Sequence, residues 1–132
     1  SFVLYDYLIF NQLFNATQII IGSVSSKTGL GLAKMLSDDP AITAKIVGVT
    51  SAGNQPFVNA LGCCDQVVLY GDEHAIDQTL TSAYVDMSGN AELTTALHQH
   101  LQNNNYYAIS FLLRFLAIFP WCCLLSSRHS II

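Results

Sequence analysis

Charge is what this sequence has least of. Asp, Glu, Lys and Arg make up 11% of its 132 residues, about half the ~25% usual in soluble proteins. Disorder is excluded, because a disordered chain combines low hydrophobicity with high net charge, and 52% of these residues are apolar. Nine acids outnumber five bases, for a net charge of −4. That leaves no basic excess to neutralise phosphates along a strand, so no nucleic-acid partner is expected. No basic stretch precedes an apolar run at the start, so no secretory signal is read there. There is no C-x-x-C either. The four cysteines form two adjacent pairs, Cys63–Cys64 and Cys122–Cys123, a spacing that suits neither zinc nor mutual bridging. They read as small buried thiols in a reducing, cytoplasmic setting. Asn15-Ala16-Thr17 matches a glycosylation sequon that such a setting leaves without use.

What charge there is divides unevenly. Residues 1–105 hold Lys27, Lys34, Lys45 and all nine acids, and residues 106–132 hold Arg114 and Arg128 with no acid. The chain therefore reads as one domain over 1–105 and an apolar tail over 106–132.

Within 1–105, short apolar runs alternate with helical patterns. The runs are Ile19–Ile21, Ile46–Val49, Val67–Tyr70 and Ala83–Val85. Each is β-rich and unbroken by polar residues, as in strands covered on both faces. Between and after them lie apolar stripes at helical spacing: Leu32, Met35 and Leu36; Phe57, Val58 and Leu61 behind Pro56; Ala75, Ile76 and Leu80; and Leu93, Leu97 and Leu101. Residues 2–14, apolar nearly all round, predict a buried leading helix. Strand and helix repeated four times predict an α/β fold, a Rossmann-like and mostly parallel sheet with helices on both faces. With only about four strands recognisable, that fold is incomplete.

The informative segment is the first strand-to-helix turn, Gly22-Ser23-Val24-Ser25-Ser26-Lys27-Thr28-Gly29-Leu30-Gly31. Backbone N–H groups and the helix dipole favour an anion at such a turn. A phosphate-binding P-loop is excluded, since Ile21 and Ser26 stand where both of its glycines belong. A dinucleotide G-x-G-x-x-G can be laid on Ser26-x-Thr28-x-x-Gly31, keeping the last glycine only. A serine-rich turn without any ligand stands beside that reading. About twenty residues on, where an NAD site places an acid on the ribose, the chain has Thr50-Ser51-Ala52-Gly53-Asn54 and no carboxylate. This favours NADP(H) over NAD(H). The competing reading is a loop whose Asn54 caps the next helix.

Three stretches carry a family resemblance: IIIGSVSSKTGLGLAKML, KIVGVTSAGNQPFVNALGCCDQVVLY and YVDMSGNAELTTALHQHL. Together they resemble the cofactor domain of medium-chain dehydrogenase/reductases of the quinone-reductase type. They are similar above all to an uncharacterised branch, catalogued as a domain of unknown function, whose first turn reads S-S-K-T. The resemblance covers about residues 1–103 and implies an NADPH-dependent reductase lineage acting on quinones, enals or enoyl thioesters. It implies that the backbone of Ser25, Ser26, Lys27, Thr28, Gly29 and Leu30 holds the pyrophosphate. Lys27, Thr50, Ser51 and Asn54 would lie near the adenosine 2′-phosphate and Tyr70 near the adenine. No substrate domain is represented, so little or no turnover is expected of the chain alone.

Other chemistry finds no support. His98 and His100 are two apart on a helix and face apart, where metal pairing wants i, i+4. Asp38-Asp39 and Asp72-Glu73 fall at turns and helix starts, where they cap. No catalytic residue and no metal ligand is assigned, and a homodimer is left open. Tyr106 to Leu125 is apolar at 17 of 20 positions, broken by Ser110, Arg114 and Pro120. Twenty residues could span a bilayer, and a module using this tail for a membrane or a partner is the alternative function. Arg114 and Pro120 make the membrane the weaker reading. A non-native ending to the lineage, folded as a fifth strand or an apolar cover, is the stronger one.

Overall fold

A computed structural model of the chain describes residues 2–87, 90–101 and 106–110. Five parallel strands form a single sheet: β1 (Gln18–Gly22), β2 (Lys45–Thr50), β3 (Gln66–Leu69), β4 (Ser82–Asp86) and β5 (Tyr106–Ser110). Their spatial order is β3-β2-β1-β4-β5. Strands are added outward from β1 on one side, then the chain crosses back and adds β4 and β5 on the other. The four sequence-predicted runs sit inside β1 to β4, each shifted by a residue or so at its ends, and Tyr70 falls just past β3. The Rossmann-like α/β architecture is the observed one.

The fifth strand carries the sheet past Asn105. Ser82 stands beside Tyr106 and Asp86 beside Ser110 in register. These five residues would have opened a membrane helix beginning at Tyr106, and they are extended instead. No helix among the described residues is long and apolar enough to cross a membrane. Residues 111–132, with Arg114, Pro120, Cys122, Cys123 and the interaction surface expected of the tail, lie outside the described residues.

Strand side chains alternate between faces, and each face has its own core. One collects Leu8, Ile19, Ile21, Val24, Leu32, Leu36, Ile46, Val58, Val85 and Ile109. Three helices cover it: α1 (Phe2–Phe10), α2 (Lys27–Asp38) and α3 (Gln55–Leu61). The other collects Ile20, Val47, Val49, Val68, Ile76, Tyr84, Leu93, Leu97 and Leu101 beneath α4 (Ala91–Leu101). Spacing at i, i+4 puts Leu93, Leu97 and Leu101 on one stripe of α4. All three are at most 2% exposed, each worth about 1.5–3 kcal/mol of burial.

Some helical expectations change. Ala75, Ile76 and Leu80 do not make a helix: only Glu73–Ala75 form one 3₁₀ turn, and Ile76 is extended and buried. Asp77 ends that stretch, its carboxylate accepting the Thr79 backbone N–H at 2.8 Å. On α3 only Val58 is buried, while Phe57 and Leu61 are exposed, because one turn of a seven-residue helix is all that reaches the sheet. The leading helix is shorter than 2–14. It stops at Phe10, with Ile9 and Phe10 exposed. Gln12, Leu13, Phe14 and Asn15 follow with φ of 53–58°, a left-handed turn built without glycine. Phe14 emerges stacked on Tyr107 of β5, ring centroids 4.7 Å apart.

Candidate functional site

With β2 on one side of β1 and β4 on the other, successive crossovers leave a crevice at the carboxyl ends of the strands, where doubly wound folds hold ligands. The residues singled out in the sequence gather on the β1–β2–β3 side of it. Ser26 is the N-cap of α2, its Oγ accepting the Gly29 N–H at 3.1 Å. The Leu30 N–H reaches the Ser26 carbonyl at 2.8 Å. The side-chain cap serves Gly29, so the amides of Lys27 and Thr28 at the helix start keep the donor character that an uncapped first turn has. Ser26 and Lys27 are exposed, and Ser25, Thr28 and Leu30 half-buried.

A close approach of helix to strand falls at Gly29, inside the frame laid on Ser26-x-Thr28-x-x-Gly31. Gly29 is buried, and a Cβ on it would stand 2.8 Å from the Ser23 carbonyl oxygen and 2.9 Å from the Val24 Cα. Both are backbone atoms that cannot yield, so only glycine at 29 lets helix and strand pack this closely.

Side chains at the strand ends tie the loops together. Asn54 Nδ2 donates to Ser25 Oγ at 3.2 Å and to Ser51 Oγ at 3.3 Å. It makes no cap on α3, so the capping reading of Asn54 gives way to a bridge between the ends of β1 and β2. The Ser23 and Tyr70 hydroxyls are hydrogen-bonded at 2.8 Å, joining the first turn to the end of β3. Ser23 was not singled out in the sequence, and its φ of 53° has no signature there. Thr50 is fully buried with Oγ1 lacking a partner, while Ser51 and Asn54 are exposed and Tyr70 is 37% exposed.

The β4–β5 side is built differently. Tyr84 is fully buried and Tyr106 nearly so; the Tyr84 hydroxyl faces the side chains of Thr94 and Asp86, and the Tyr106 hydroxyl has no hydrogen-bond partner. Burial first, and the Asp86 carboxylate second, push both phenols above their ordinary range. Gly22, at the end of β1, leaves the room that Tyr84 fills: a Cβ there would stand 2.9 Å from the Tyr84 hydroxyl. Asn90 caps α4, its Oδ1 accepting the Leu93 N–H at 3.1 Å.

The remaining candidates lie away from the crevice. His98 is exposed against the Tyr106 ring, and His100 reaches the Ile76 carbonyl at 2.8 Å through Nε2. Cys63 and Cys64 are free, half-buried thiols, and burial pushes the Cys64 thiol up to about 11. Among the described residues no three of His, Cys, Asp and Glu stand close enough to hold a metal ion.

Residues 1–111 match the family described as Protein of unknown function (DUF2855), and the chain belongs to it. No curated protein matches in sequence. Among solved structures, the human synaptic vesicle membrane protein VAT-1 homolog-like protein aligns over 92% of this chain and 42% of its own, with 14% identity and a TM-score of 0.50. The quinone oxidoreductase from Coxiella burnetii aligns over 96% of this chain and 46% of its own, with 14% identity and a TM-score of 0.48. The chain thus spans less than half the length of these structures. At 14% identity, what it shares with the first of them is the fold.

Proposed function

We propose that this chain is the NADP(H)-binding part of a reductase of the quinone- and enoyl-reductase type, cytoplasmic, with little turnover of its own. The observation that supports this best is the convergence of three loops over the start of α2. The turn after β1, the Thr50–Asn54 loop and Tyr70 are drawn together by the Ser25–Asn54–Ser51 and Ser23–Tyr70 hydrogen bonds. The residues fit such a cofactor. Pyrophosphate would meet the backbone from Ser25 to Leu30, where Gly29 brings the helix close and the dipole favours an anion. Lys27, Thr50, Ser51 and Asn54 would surround a 2′-phosphate, and the lack of a carboxylate at the end of β2 spares it a repulsion. The buried Thr50 hydroxyl, unpartnered, is a polar atom that a ligand or its water would satisfy.

Hydride transfer is chemistry the bound nicotinamide supplies, and the chain's residues bind and orient it. The Tyr84–Tyr106–Asp86 side then borders the nicotinamide half, with the substrate-shaping part of the enzyme outside this chain.

The test is a thermal melt of the full chain with NADPH and with NADH. At a hundred times its Kd a ligand adds about 2.7 kcal/mol, which raises Tm by several degrees, and NADPH should do so at lower concentration than NADH. Absence of any shift with either nucleotide would sink the proposal. Brisk consumption of NADPH with quinones or enals by the chain alone would refute the limited turnover.

A further inference from the structure

Ser23 stands in β1's turn and Tyr70 just past β3, with β2 between those strands. Neighbouring strands lie about 4.8 Å apart, so the Tyr70 side chain crosses the carboxyl end of β2 to reach Ser23. Its phenol is held there by the 2.8 Å bond to Ser23 Oγ, and the residue keeps 37% of its surface open. A tethered aromatic ring with open surface beside a phosphate-type turn is a base-stacking platform. Ser23 adopts a φ of 53°, where glycine would sit without strain.

We infer that Ser23 is a positioning residue, whose hydroxyl fixes the Tyr70 ring over the end of β2 as the surface on which a purine stacks. This rests on the dinucleotide reading above and adds the residue that sets the adenine end of the site. Fixing the ring before binding removes an ordering cost that the ligand would otherwise meet.

The probe is 2′,5′-ADP, with inorganic pyrophosphate as the ligand that has no base. Ser23→Ala, Ser23→Gly and Tyr70→Phe each remove the bond. Each should weaken 2′,5′-ADP by about two- to tenfold, the range of one neutral hydrogen bond, and leave pyrophosphate unchanged. Combining Ser23→Ala with Tyr70→Phe should weaken it no further, since both remove the same bond. Ser23→Gly suits the backbone, so its Tm should not fall while its affinity does, an outcome that a merely structural serine would not give. Unchanged or tighter 2′,5′-ADP binding in the Ser23 variants, or additive losses in the double variant, would overturn the inference. Failure of the unaltered chain to bind either 2′,5′-ADP or NADPH would instead bring down the dinucleotide reading. The tether has its own readout: with 3-fluorotyrosine incorporated, the ¹⁹F signal that Tyr70→Phe removes should shift in Ser23→Ala, and a stationary signal refutes the tether whatever binds.

Discussion

The buried, unpartnered Thr50 hydroxyl apart, the two sides of the crevice handle polar groups in opposite ways. On the β1–β2–β3 side, Ser23, Ser25, Ser51, Asn54 and Tyr70 are largely accessible and hydrogen-bonded to one another. On the β4–β5 side, Tyr84 and Tyr106 bury their hydroxyls, and that of Tyr106 has no partner. Exposed, mutually bonded groups can exchange partners with a ligand at small net cost, since each bond is worth only about 0.5–1.5 kcal/mol. Buried, unbonded ones cost stability in the folded chain and cannot move without opening the core. The first side is therefore suited to exchange, and the second is a rigid support that carries a stability penalty.

Removing the support should have the largest effect. Among the described residues Tyr84 is the largest fully buried side chain, and Tyr84→Ala should lower stability by about 3–5 kcal/mol in chemical denaturation, the range for a buried aromatic. Gly29→Ala comes next, at about 1–3 kcal/mol, because its methyl meets backbone rather than a side chain that can swing away. Tyr106→Phe should go the other way and raise stability by about 1 kcal/mol, because it deletes a buried hydroxyl that nothing satisfies. If Tyr106→Phe destabilises instead, the hydroxyl is bonded in solution and the contrast between the two sides fails.

The smallest effect is one of pH. The Cys64 thiol, pushed up to about 11 by burial, by Cys63 and by Asp65, stays protonated in the folded chain where the unfolded chain's thiol, near 9.0, ionises. Its folded value is the higher one, so its contribution is whole below pH 9 and is lost as pH rises towards 11. Cys64→Ala should flatten that decline in an alkaline stability profile, and an unchanged slope would place its cause elsewhere.

Much of the sheet could be read from the chain because parallel strands buried on both faces must be continuous apolar runs, and Ile19–Ile21 and Ala83–Val85 are. β5 was harder to see: Tyr106–Ser110 opens a much longer apolar stretch, and nothing local says where a strand stops within it. The 3₁₀ turn at Glu73–Ala75 was read as a helix because Ala75, Ile76 and Leu80 share a spacing. Only Ile76 finds a core to bury in, and an Asp77 turn intervenes. At the candidate site, the serine-rich turn announced itself through position after a strand and before a helix. The close packing at Gly29 did not, since it depends on atoms of Ser23 and Val24 brought near by folding. The partnership of Ser23 with Tyr70 spans 47 positions and two strands, a relation that no local pattern encodes.

The left-handed turn at Gln12–Asn15 links places far apart in the chain. Four L-residues held on the disfavoured side of the backbone map cost roughly 1–2 kcal/mol each. What they achieve is the delivery of Phe14 onto Tyr107, with Tyr7 tilted against it at 5.7 Å. The opening helix and the outermost strand are thereby clasped by three rings. Glycine at Gln12, outside the three rings, would lift part of that strain while leaving the clasp between the first helix and the fifth strand in place.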